Sequence, residues 1–177
     1  MRLNIETIMR NIFSGKSILT NEYAKYEQST EYIIDIKDFS NVMERCEKIN
    51  DWRYETFNEN GKSHSYDDLP AVINYYKDGE LNSLYWFKDG EKHRDNDEPA
   101  MISYDINGKI TRIIYYKNGR VHRDKNRPAD IAFYQDGNRK IENWYINGII
   151  QKAVYYNKYG NAEKISDYTT MLHLSTE

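Results

Sequence analysis

Three histidines stand at a fixed spacing and are the first residues to test for chemistry. His64, His93 and His122 are each 29 residues apart. Two of them are followed directly by arginine, Arg94 and Arg123. A ladder of imidazoles beside guanidiniums suggests either metal ligation or anion binding. Metal ligation needs three or four donors converging on one point. A 29-residue translation along a sheet separates equivalent side chains instead. Each His is therefore expected to fix its own connection by bonding a nearby backbone group, and no metal or cofactor is expected. The acidic run Asp95, Asp97 and Glu98 superficially resembles a calcium loop. Its counterpart is Asp124, Asn126 and Arg127, which brings in a positive charge. A solvated loop fits both copies, and the EF-hand pattern is absent. Cys46 falls on an apolar helical stripe with no motif placing a base beside it, so a structural thiol is expected. His173 lies in the tail, outside any pattern. No catalytic residue is assigned, and the chain reads as a non-enzyme.

The element that positions these residues is a tandem repeat. Gly61, Gly90, Gly119 and Gly148 share the 29-residue period. So do Gly79, Gly108 and Gly137, and the Pro–Ala pairs 70–71, 99–100 and 128–129. The glycines divide each unit into intervals of 18 and 11 residues. All seven follow Asp or Asn, a dipeptide suited to tight hairpins because both residues tolerate positive φ. Runs rich in Tyr, Ile, Trp and Phe lie between them and predict strands near 71–77, 81–88, 100–106, 110–117, 129–135, 139–146 and 151–157. Each repeat should form one hairpin, joined to the next by the connection that carries His and Pro. The fold class is mainly β: tandem antiparallel β-hairpins with a small α/β N-terminal cap.

Alternation along the strands puts Ile73 with Tyr75, Ile102 with Tyr104, and Ile131 with Phe133 on one face, joined by Leu84, Trp86, Ile113 and Tyr115. These should stack into a continuous core. Phe57 is placed in the column of Trp86, Tyr115 and Trp144. Phe87, Tyr116 and Tyr145 form the opposite column. Residues 1–50 lack the period and read as the cap. Within it Ile5–Phe13 and Asp38–Ile49 are expected helices, and Tyr32–Ile36 an expected strand. The array spans 51–165, ending in a half-repeat. A tail from 166 to 177 is expected to be loosely held.

The units resemble MORN-type repeats, above all the viral MORN-variant form with Y-x-x-G-x-x-H-R followed by P-A. The matching residues are Tyr116, Gly119, His122, Arg123, Pro128 and Ala129, with Phe87, Gly90, His93, Arg94, Pro99 and Ala100 in the preceding copy. The resemblance covers residues 52–160. It implies a hairpin array used for binding, with no shared catalytic residues, in accessory proteins of large DNA viruses and phages.

Composition narrows the partner class. The chain has 177 residues, seventeen Tyr, one Cys and a formal net charge of −3. A mean hydropathy of −0.92 would suit disorder, but the aromatic content does not. Net acidity and mixed charges disfavour nucleic acid, leaving a single-stranded nucleic-acid binder as the alternative reading and an enzyme with a site at the junction of cap and array as a lesser one. No stretch reaches a membrane span and no polybasic anchor appears. A lone Cys suits the cytoplasm, the host's if the protein is viral. The expected function is a protein-interaction module that inhibits a host protein, with a homo-oligomer as a further option. Phe87, Tyr116, Tyr145, Arg94 and Arg123 are the candidate contact residues, because aromatics and arginines dominate binding hot spots.

Overall fold

The computed structural model describes residues 46–50 and 53–169. Its strands are β1 (Cys46–Asn50), β2 (Arg53–Thr56), β3 (Val72–Tyr75), β4 (Leu81–Tyr85), β5 (Phe87–Lys88), β6 (Glu91–Lys92) and β7 (Met101–Tyr104). They continue as β8 (Ile110–Ile114), β9 (Tyr116–Lys117), β10 (Arg120–Val121), β11 (Asp130–Phe133), β12 (Arg139–Ile146), β13 (Ile149–Tyr156) and β14 (Ala162–Asp167). Ten of these form one sheet in the order β1-β2-β3-β4-β7-β8-β11-β12-β13-β14. The other four make two short hairpins, β5-β6 and β9-β10. The 29-residue tandem array of antiparallel hairpins is therefore present as expected.

Two chemically distinct turns build it. At Asp89–Gly90, Asn118–Gly119 and Asn147–Gly148 both residues have positive φ, as a two-residue type I′ turn requires. In the second kind only the glycine does. Gly79 N–H donates to the Tyr76 carbonyl at 2.9 Å, and Tyr76 N–H to that of Glu80 at 2.8 Å. That is a type I turn followed by a glycine bulge. Gly61, Gly108, Gly137 and Gly160 repeat this pattern. Where the turn opens on Asn58, Asp105 or Asn157, the side-chain oxygen accepts two further backbone N–H bonds inside the turn.

Strands expected as single runs over 81–88 and 110–117 are broken at Trp86 and Tyr115. The backbone there serves two sheets. Trp86 N–H bonds the Ala100 carbonyl at 2.9 Å, while its own carbonyl accepts from His93 N–H at 3.1 Å. Tyr115 does the same with Ala129 and His122. The chain thus leaves the main sheet at this residue to form the short hairpin. In the first unit the branch residue is Thr56, bonded to Ala71 and His64. This corrects the placing of Phe57. It pairs with Ser63 as Phe87 pairs with Lys92, so it belongs with Phe87, Tyr116 and Tyr145. The cause is the bulged turn at 58–61, which adds one residue where later units use type I′.

The core runs across the sheet as one row in register: Tyr54, Ile73, Leu84, Ile102, Ile113, Ile131, Glu142, Val154 and Ile165. From Ile73 to Ile131 every member is buried, as are Trp86, Tyr104, Tyr115 and Phe133. Each such side chain contributes roughly 1.5–3 kcal/mol. The expected core is there, with Tyr75 half-buried at its margin.

Two expectations at the ends need correction. Cys46–Asn50 is strand β1 beside β2, not the end of a helix reaching Ile49. The backbone groups on the edge of β2 demand a hydrogen-bonded neighbour, and that demand outweighs the helical spacing of apolar residues. At the other end β14 continues past Ser166 to Asp167, and Tyr168 N–H bonds the Gln151 carbonyl at 2.9 Å. The expected elements at 5–13 and 32–36 lie outside the described residues, as does residues 38–45 of the expected helix.

Candidate functional site: a polar cluster on the second sheet face

The repeated polar residues are used to join one repeat to the next. His93 Nδ1 accepts the backbone N–H of Asn118 at 3.1 Å, and His122 Nδ1 accepts that of Asn147 at 3.0 Å. Accepting at Nδ1 leaves the proton on Nε2, which donates to Asp95 and Asp124 respectively, each at 2.9 Å. His64 Nδ1 lies 3.2 Å from Asp89 N and 3.0 Å from its carboxylate. The expected backbone-fixing role is found, with the partner in the following repeat. These bonds leave an electrostatic trace. The His93 hydrogen bond holds the Asp95 carboxyl below the usual range, and the His122 bond does so for Asp124.

Arg94 and Arg123 reach in the opposite direction. Arg94 bonds both Asp68 oxygens, at 2.7 and 2.5 Å, with its guanidinium carbon 4.1 Å over the Trp86 ring. Arg123 reaches Asp97 at 3.2–3.3 Å and lies 3.7 Å over the Tyr115 ring. Arg127 also pairs with Asp97. The third copy changes both partners together. Lys152 covers Trp144 at 4.5 Å, and Asn126 replaces the aspartate. The acidic loop is thus part of the joint between repeats. A cleft of about 230 Å³ between the second and third connections is lined by these same groups, Arg94, Asp97, Tyr115 and Arg123 among them. No group of three or more His, Cys, Asp or Glu able to hold a metal ion occurs among the described residues.

The opposite face of the sheet carries two rows that flank the core row. One is Glu55, Val72, Tyr85, Met101, Ile114, Asp130, Asn143, Ala153 and Ser166. The other includes Arg53, Asn74, Ser83, Ser103, Arg112, Ala132, Ile141, Tyr155 and Lys164. Strand alternation puts both rows on one side.

A polar cluster lies at its centre. Asp130 on β11 pairs with Ile114 of β8 on one side and Asn143 of β12 on the other. Its carboxylate accepts two bonds from Arg112, Nε and Nη2 each at 2.8 Å, and one from Asn143 at 3.1 Å. Asp130 is only 4% exposed, whereas the Arg112 side chain is 49% exposed. Hydrogen bonding to Asp130 raises the Arg112 guanidinium further above its usual range.

Tyr116 and Tyr145 continue the same-face positions beyond Ile114 and Asn143. Burial raises both phenols above their ordinary value, and Arg112 and Asp130 act electrostatically on each. Lys92 Nζ sits 5.1 Å from the ring centres of both Tyr85 and Tyr116. Phe87 is half-buried beside Tyr85, 6.5 Å between ring centres.

Of the five candidate contact residues, Tyr116 and Tyr145 come together at this cluster. Phe87 lies beyond Tyr85, and Arg94 and Arg123 sit in the joints between repeats. Sequence reasoning passed over Arg112, Asp130, Asn143 and Lys92. The signal for the first three was in the columns. Asp130 stands where earlier units have Val72 and Met101, and Arg112 where its neighbours have Ser83 and Ile141.

No family model matches the chain, and no curated protein does. Among solved structures, a crystal structure of TarM is similar at 14% identity, covering 93% of this chain and 25% of that one, with a TM-score of 0.27. The chain spans about a quarter of that protein's length. At that score the likeness carries neither a fold nor a functional argument, so the architecture rests on the strand registers and turns described above.

Proposed function

We propose that this chain is a non-enzymatic protein-binding scaffold whose contact surface is the partly exposed region of the sheet around Arg112, Tyr116 and Tyr145. One observation carries the reading. The polar residues that recur with the repeat are engaged in holding repeats together, whereas the Arg112–Asp130–Asn143 cluster occurs once. It lies on a half-exposed aromatic surface, and exposed Arg beside Tyr is the chemistry of binding hot spots. The unit-level likeness to viral MORN-variant repeats supports an accessory protein acting on a host factor in the cytoplasm. Such arrays present extended surfaces to partners.

The test is affinity capture with immobilised wild-type chain and with the Tyr116→Ala/Tyr145→Ala variant, both confirmed as folded. A partner retained stoichiometrically by the wild type and lost by the variant supports the reading. Equal retention by both, or recovery of RNA in place of protein, rejects it.

A further inference from the structure

We infer that Arg112 is a carboxylate-reading residue, and that the partly exposed surface around it takes an extended acidic segment of a protein partner. The inference rests on the protein-binding reading and names the chemistry of what binds. Three observations support it.

First, Arg112 is held ready for an anion. Nε and Nη2 are fixed by a nearly fully buried aspartate. Nη1 makes no hydrogen bond to the described residues, and the side chain is half exposed. An arginine fixed on one edge loses little further freedom when a carboxylate pairs with the other.

Second, burying a carboxylate in a sheet costs several kcal/mol unless it is well paired. The equivalent positions in earlier units avoid that cost with Val72 and Met101. A buried acid whose direct partners among the described residues are Arg112 and Asn143 is therefore best explained by what it does to Arg112.

Third, the charge on this face is one-sided. In its two rows the acids are Glu55 and Asp130, 9% and 4% exposed, each paired with a neighbouring arginine. Of the cations, the Arg53 and Arg112 side chains are 38% and 49% exposed and Lys164 is exposed. Lys92 adds a fourth beside Tyr85 and Tyr116. The complement of that surface is acidic.

Spacing favours a peptide over a nucleic acid. Arg53, Arg112 and Lys164 sit on β2, β8 and β14, four strand steps apart in each case. That is about 19 Å at ~4.8 Å per strand. Phosphates recur roughly every 3.4 Å along one strand of a duplex, so cations this sparse would neutralise few of them. Met101, Ile141 and Tyr155 lie between the cations and suit apolar side chains of an extended peptide.

The probes are a fluorescein-labelled Glu–Tyr copolymer peptide, its Lys–Tyr counterpart, and a labelled oligothymidylate, each titrated by fluorescence anisotropy. Selective binding of the Glu–Tyr peptide that weakens with added salt is expected. The variant Arg112→Gln/Asp130→Asn keeps a hydrogen-bonded neutral pair and should bind about tenfold more weakly. Arg112→Lys, which retains the counter-charge for Asp130, should lose a few-fold and guards against a folding defect in the double variant. Equal binding of both peptides, unchanged affinity in a folded Arg112 variant, or preference for oligothymidylate overturns the inference. If capture of the native partner is lost with Tyr116→Ala/Tyr145→Ala but unaffected by Arg112→Gln/Asp130→Asn, the scaffold reading stands and the carboxylate seat does not.

Discussion

Arg123→Ala should destabilise the fold by about 3 kcal/mol, and the size follows from what the side chain touches. Arg123 is 5% exposed with its guanidinium 3.7 Å over the Tyr115 ring. A desolvated cation–π contact contributes about 1–2 kcal/mol. Removing the buried methylenes adds about 1 kcal/mol. The Asp97 pair adds less than a fully buried bridge would, because the Asp97 side chain is 30% exposed and keeps Arg127, so about 1 kcal/mol is reasonable. For a domain of this size, about 3 kcal/mol lowers Tm by about 10 °C. Arg123→Lys should lose about half as much, because Lys152 over Trp144 is a version of that contact already present in the chain. Thermal and urea melts of the three proteins measure it. The same variants address the role of Arg123 in binding. A Tm within about 2 °C of wild type, with partner binding lost, would refute the joint reading and make Arg123 a contact residue.

Two further perturbations test the turns and the buried acid. Lys125 has φ of 60°, a left-handed conformation that Asn96 occupies in the preceding repeat. Asn tolerates that region and Lys does not, so Lys125→Asn should raise stability by about 0.5–1 kcal/mol, read as a higher urea midpoint; an unchanged or lower midpoint counts against the turn argument. Burial, followed by its bond to Glu142, pushes the Tyr156 phenol up to about 12. The folded value lies above the ordinary one, so its contribution is fully present below about pH 10 and disappears as pH rises through about 12. Tyr156→Phe should flatten that alkaline loss of stability, and an alkaline melting profile identical to wild type would show that Tyr156 is not its source.

The period, the turns and the core columns were legible because each depends on local chemistry: Asn or Asp before Gly, alternation, and proline at a strand entry. Three things were not. Whether a glycine turn is type I′ or bulged depends on one inserted residue, and that single residue moved Phe57 from one column to the other. The destination of Arg94 could not be read from its own repeat, because Asp68 lies 26 residues away in the previous one. The Arg112–Asp130–Asn143 cluster joins three strands through register, which periodicity alone does not fix. The histidine role was legible in kind. Its partner, the backbone N–H before the next repeat's glycine, was not.

The buried charges divide the molecule's polar residues by purpose. Arg123 recurs in kind with Arg94 and joins repeats. Glu55, bonded to Ser63 at 2.5 Å and to Arg53 at 2.6 Å, closes the first short hairpin against β2. Glu142 enters the core row at its far end. There Tyr156 and the partly exposed Arg139 pair with it, and two strands later Ile165 is 65% exposed. Glu142 is itself buried, as is Val154 beyond it, and it ties Tyr156 of β13 to Arg139 of β12 before the row reaches solvent at Ile165. Each of these three answers a need of the fold: coupling, opening or ending an array. Asp130 answers none of them. It lies between two complete strands in mid-sheet, where valine and methionine serve the earlier units, and its direct bonds are to Arg112 and Asn143. A fold that needed only to hold together would keep an apolar residue there. The departure is therefore better assigned to the surface it prepares than to the sheet it interrupts.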